Sequence, residues 1–143
     1  MVDDECVVDE TARSYGNPTL AADAEGLTIY GSPGGPSYLV ASSQGDGNFL
    51  VFDRLVPTRQ LGTFRIVDDP ATGVDGNDQS DGSAVVNVPL GPDFPHGLFV
   101  SQDGSNATDD QASTNFKFTR WDAIADALHL RSTARPTSEL RNR

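Results

Sequence analysis

Three short segments carry side chains that could do chemistry together. Asp23-Ala24-Glu25-Gly26 sets two carboxylates at i and i+2 ahead of an apolar run, and alternation along an extended chain aims both to one side. Asp75-Gly76-Asn77-Asp78-Gln79-Ser80-Asp81-Gly82 gathers three carboxylates, two amides and two glycines. Gln102-Asp103-Gly104-Ser105-Asn106 is a further polar loop directly after an apolar run. Oxygen-rich loops beside glycine suit a hard cation such as calcium, which takes about six to eight oxygens and tolerates irregular geometry; magnesium is less suited to such crowding. The same residue types are the default turn formers, so composition leaves metal binding and plain turns both open. The run from Asn77 imitates the start of an EF-hand, but Val88 stands where its bidentate Glu belongs and no helices flank it, which excludes that motif.

Other reactive side chains are sparse. His96 and His129 lie near no Gly-x-Ser-x-Gly or cysteine-centred nucleophile pattern. The single cysteine, Cys6, permits no internal disulfide and no cysteine-based metal cluster, and within Cys6-Val7-Val8 it reads as a small buried hydrophobe.

The charge balance narrows the partners. The chain of 143 residues carries a formal net charge of −11, which leaves no basic footprint for nucleic acid and no polybasic face for an anionic membrane. Nine aspartates lie between Ile66 and Phe116 without one Lys or Arg, a one-sided field that either disperses in solvent or recruits cations. No apolar run approaches the ~20 residues of a membrane span, and Met1-Val2-Asp3-Asp4-Glu5 is not a signal peptide.

The elements that must hold these acids are strands. Apolar segments recur at Leu27–Tyr30, Tyr38–Ala41, Phe49–Phe52, Leu61–Ile66, Ala84–Val88, Gly97–Ser101 and Asn115–Thr119, separated by Gly, Pro and Asn. This predicts an all-β fold whose first four strands form an antiparallel meander, the size of one β-propeller blade. At about 40 to 50 residues per blade the chain supplies about three blades, fewer than closure requires. Trp121, Ile124, Ala125 and Leu128 fall at helical spacing and predict one short surface helix, with Thr119 as the capping hydroxyl and His129 in its last turn. Residues 132–143 read as a flexible tail after a domain spanning 1–131.

Several strings in series then resemble one family. Asp23-Ala24-Glu25-Gly26-Leu27-Thr28-Ile29-Tyr30, Leu39-Val40-Ala41-Ser42-Ser43-Gln44-Gly45, Leu90-Gly91-Pro92, Gly97-Leu98-Phe99-Val100, Gln102-Asp103-Gly104 and Asn115-Phe116-Lys117 resemble the C-terminal part of the β-propeller (alkaline, Bacillus-type) phytases. Order and spacing agree from about Asp23 to Leu130, and Trp121-Asp122-Ala123-Ile124-Ala125 looks like the family's closing helix.

The resemblance implies a six-bladed propeller with calcium around an acidic cleft, and a secreted enzyme of the 3-phytase type. Its reaction would release phosphate from myo-inositol hexakisphosphate by attack of a metal-activated water, without a phospho-enzyme intermediate. Carried over by motif, Asp23 and Glu25 match the active-site pair, Glu25 being the carboxylate that helps activate water. Asp81 matches an active-site calcium ligand, Asp75 a structural calcium ligand, and Asp103 and Asn106 the rest of that structural site. Substrate-binding residues are not assigned. The chain departs from the family pattern at Ser105, where a Glu commonly follows Asp-Gly, and lacks the Gly-Glu-Glu motif after the strand resembled by Glu5–Glu10. Expected partners are therefore a phosphomonoester held through calcium and further copies of the chain that complete the propeller. The alternative from another class is a non-catalytic calcium-binding β module.

Overall fold

The structure, a computed structural model, describes residues 20–21, 23–31, 34–108 and 111–132, and of 106–108 and 111–112 the backbone alone. The expectations for Cys6, for the strand at Glu5–Glu10 and for all of the tail after Ser132 lie outside these residues.

Among the described residues seven strands and one α-helix follow in order. The first sheet holds β1 (Leu27–Gly31), β2 (Ser37–Ser43), β3 (Asn48–Asp53) and β4 (Gln60–Phe64) as an antiparallel meander in sequence order. The second holds β5 (Ser83–Val86), β6 (Leu98–Thr108) and β7 (Gln111–Arg120), also antiparallel in sequence order, and α1 (Trp121–Ala127) follows directly. This is the expected all-β architecture of partial propeller blades. Among the described residues no helix is long and apolar enough to cross a membrane.

Alternation decides which faces meet. Tyr30, Val40, Phe49, Val51 and Phe64 of the first sheet are buried against Phe99 of the second. Phe49 and Phe64 stack at 5.1 Å, and Phe99 meets them edge-on at 5.1 and 5.4 Å. Each such aromatic withdraws enough apolar surface to contribute about 1.5–3 kcal/mol. At one end of this stack Trp121 lies 4.1 Å from Tyr30 in parallel, with Ile124 and Ala125 buried beside it. The edge strands β1 and β5 run side by side, joined where the Val85 N–H donates to Thr28 Oγ1 at 3.0 Å.

Three local expectations are corrected. Thr119 does not cap the helix: it pairs with Phe99 inside β7 and is fully buried, so the strand holds its hydroxyl in the interior. The N-cap is Arg120, in an extended conformation with no side-chain cap, and its guanidinium instead binds Asp122 at 2.5 Å. His129 lies beyond the helix, after the C-cap Leu128, with φ 53°. The polar stretch Gln102–Asn106 is also not a loop but the middle of β6, which continues to Thr108 around a bulge between Asp103 and Asn106.

Candidate functional site

The acidic segments collect at the end of the stack opposite Trp121. Asp23 and Glu25 are exposed and lie just before β1, where their backbone is pinned by the end of β2. Ser42, fully buried, accepts the N–H of Glu25 at 3.2 Å and of Gly26 at 2.7 Å on its hydroxyl. The Ser42 N–H donates back to the Gly26 carbonyl at 2.9 Å, and the Gln44 N–H donates to the Asp23 carbonyl at 3.1 Å. Gly26 is required by contact: a Cβ there would lie 2.8 Å from the Ser83 backbone nitrogen.

Gln44 connects this segment to the long acidic loop. Its side-chain amide donates to Asp81 Oδ1 at 2.5 Å, while the Asp81 N–H donates to Gln102 Oε1 at 2.9 Å. Asp81 is thus fixed from both sheets, near the segment that bears Asp23 and Glu25. The rest of the loop is laced to β6: the Gly104 N–H donates to the Asp78 carbonyl at 2.9 Å and the Asn77 side chain to the Gln102 carbonyl at 2.9 Å. Gly104 permits that approach, since a Cβ would come within 2.5 Å of the Gln79 carbonyl oxygen.

Asp75 and Asp103 are brought together by a residue that motif reading did not single out. Lys117, the chain's one lysine, is buried on the inward face of β7, with its ammonium 2.5 Å from Asp75 Oδ1 and 3.2 Å from Asp103 Oδ2. Asp103 is itself 1 % exposed, and its Oδ1 accepts the N–H groups of Asp78 at 2.9 Å and Ser105 at 3.4 Å. A charge so buried persists because it is paired and hydrogen-bonded. The signal for Lys117 was alternation: Phe116 and Phe118 flank it, and if they turn outward it must turn in. Asn106 lies in β6 opposite Ser113, and its side chain is outside the described residues.

The approach to the loop is also held by hydrogen bonds. The carboxylate of buried Asp69 accepts from Thr72 Oγ1 at 2.7 Å and the Ala71 N–H at 2.8 Å, which hold its carboxyl below the ordinary value of 3.8. Asp68 accepts the Gly76 N–H at 2.8 Å. Beside these turns lies an open groove of about 600 Å³, lined by Gln44, Asp46, Arg65, Asp68, Asp78 and Ser105 among others. Arg65 is anchored there on the Asp46 carbonyl at 2.7 Å and Asn48 Oδ1 at 3.3 Å. Asp23, Glu25 and Asp81 do not line this groove.

The donor set can be weighed against a calcium ion. Asp23, Glu25 and Asp81 offer exposed carboxylate oxygens at one end of the stack, the donor chemistry that a hard cation takes. Asp75 and Asp103 fit less well, because both already pair with the Lys117 ammonium and backbone N–H groups occupy Asp103 Oδ1. Among the described residues no three acidic, histidine or cysteine side chains converge on one point. The structure therefore brings Asp23, Glu25 and Asp81 to one region through Gln44 and Ser42, and joins Asp75 to Asp103 through Lys117.

Known proteins share this sequence pattern. The profile of the family described as Phytase matches residues 3–136. The chain is also 44 % identical over 110 residues to the 3-phytase of Bacillus subtilis (strain 168), an alignment covering 76 % of this chain and 28 % of that protein. The chain thus spans well under two thirds of the length of this curated relative.

Proposed function

Because the chain belongs to the phytase family, we propose that its acidic end serves calcium-dependent release of phosphate from myo-inositol hexakisphosphate. The observation that carries this reading is the shared tether: Gln44 binds the Asp23 backbone and the Asp81 carboxylate at once, so the two acidic segments form one region. Asp23, Glu25 and Asp81 would hold the cation. Bound calcium supplies the positive charge that lets an acidic surface gather phosphates and lowers the pKa of water near them. Glu25 is the carboxylate assigned to orient the attacking water and accept its proton. Ser42 fixes the Glu25 backbone, and the Lys117 pair keeps the loop that bears Asp81 against β6.

The test is phosphate release from phytate, with calcium and with excess chelator, by the chain and its Glu25→Gln variant. The reading predicts release that needs calcium and is lost in the variant while the circular dichroism spectrum is kept. Release equal in both proteins, or no calcium-dependent release at all, would sink it. A second reading keeps calcium at these acids without catalysis, as a non-catalytic calcium-binding β module. That reading predicts calcium-dependent melting without any phosphate release.

A further inference from the structure

Family resemblance assigns Asp75 and Asp103 to a structural calcium ion, and the structure brings a cation of the chain's own within reach of both. Lys117, the chain's one lysine, has a side chain 6 % exposed. Its ammonium lies 2.5 Å from Asp75 Oδ1 and 3.2 Å from Asp103 Oδ2. The sheet imposes this position. β6 and β7 pair Ser101 with Lys117 and Asp103 with Asn115, so alternation sets Ser101, Asp103 and Lys117 on one inward face, where all three are buried.

A calcium ion here would have to find oxygens that are still free, and it takes about six to eight of them. Asp103 Oδ1 already accepts the N–H groups of Asp78 at 2.9 Å and Ser105 at 3.4 Å, and one oxygen of each carboxylate faces the ammonium. Ser105, at the position where the family pattern commonly has Glu, adds no charge. The two carboxylates exceed the ammonium by a single charge, and a divalent ion entering beside Lys117 would meet like-charge repulsion at short range.

We propose that the Lys117 ammonium is itself the cation of this site: it takes the place that resemblance gives to a structural calcium ion, and Asp75 and Asp103 hold no metal beside it. A cation carried by β7 is not lost to a chelator, so the long acidic loop stays fastened to β6 when calcium is withdrawn. Calcium then acts only at the region of Asp23, Glu25 and Asp81. This goes beyond the phytase reading and holds whether or not the acidic end releases phosphate.

The single lysine makes the site directly readable, because ¹³C-lysine labelling of the 143-residue chain gives one set of lysine side-chain resonances. These are expected to keep their positions from excess chelator to millimolar calcium. Movement toward the shifts of a solvent-exposed lysine on adding calcium would overturn the proposal. Substitutions read the site a second way. Asp75→Asn is expected to lower the melting temperature equally in calcium and in chelator, whereas a smaller calcium-induced rise than in the wild type would place a metal at Asp75 and overturn it. In Lys117→Gln the carboxylates lose their cation and gain an amide oxygen, so calcium is expected to raise the melting temperature by more than in the wild type. A rise no larger than the wild type's, or a variant that stays unfolded in calcium, would overturn it equally. Failure of the phytase reading looks different: no phosphate release, with the lysine resonances unmoved.

Discussion

The two ends of the sheet stack solve the same burial problem with opposite chemistry. At the helix end Trp121, Tyr30 and Tyr38 pack as a three-ring cluster, with centroids 4.1 Å apart for Trp121 and Tyr30, 6.3 Å for the two tyrosines and 6.1 Å for Tyr38 and Trp121. At the acidic end the inward positions are Ser42, Ser101, Asp103 and Lys117, all buried. The first end is held by apolar area and tolerates no cavity. The second is held by paired charges and backbone N–H groups on side-chain oxygens, and its stability depends on every partner being present. The strands continue from one end to the other, so the aromatic end supplies the rigidity against which exposed Asp23, Glu25 and Asp81 are positioned.

Removing the aromatic anchor should have the largest effect. Trp121→Ala opens a cavity against Tyr30 and Ile124, and is expected to lower unfolding free energy by about 3–5 kcal/mol in urea titrations. A loss under 1 kcal/mol would mean that the helix end is not the main source of stability.

Next comes the charge pair at the other end. Lys117→Met strands the Asp103 carboxylate in the interior and should cost about 3 kcal/mol, measured in the same way. Adding Asp103→Asn to Lys117→Met should recover much of that loss, because the unpaired charge is then gone. Recovery is the diagnostic, since lost packing of the lysine stem alone would not be restored.

A smaller effect is expected at Ser42. Ser42→Ala leaves the N–H groups of Glu25 and Gly26 without their acceptor and should cost about 1–2 kcal/mol. Amide hydrogen exchange should quicken at Glu25 and Gly26, with that at Trp121 unchanged.

The smallest effect concerns pH. The Asp69 carboxyl lies below its ordinary value of 3.8, so the folded state favours its ionised form. Its contribution is complete above about that value and disappears as pH falls through the lowered folded value. Asp69→Asn should flatten this part of the acid limb in urea midpoints measured from pH 6 downward. An unchanged slope would show that Thr72 and Ala71 do not hold the ionised form.

Much of this contrast could be read from the residues. All seven strands were visible because apolar alternation is cut by Gly, Pro and Asn at each turn. β6 beyond Ser101 was not, since Gln102–Thr108 lacks apolar alternation and is strand only through pairing with β7. Thr119 was misread as a cap because a hydroxyl before a helical run does not show whether its own strand has already buried it. Phe116-Lys117-Phe118 hides its meaning in the same way: hydrophobicity suggests that the phenylalanines face the core, yet here the lysine does, because Asp103 is buried there and half-exposed Asp75 reaches its ammonium from the loop. Asp23, Glu25 and Asp81 are singled out by motif, and the structure places their segments in one region. The tethers Ser42, Gln44 and Gln102 were not, since their partners are 17 to 37 residues away in sequence.

The most direct test of the division between the ends is a calcium titration followed by ¹H–¹⁵N correlation spectra of the whole chain. The account predicts saturable shifts at Asp23–Gly26, Gln44 and Asp81, with the amides of Trp121, Ile124 and Ala125 unmoved. Shifts concentrated at the helix end, or none at the acidic end at millimolar calcium, would contradict it.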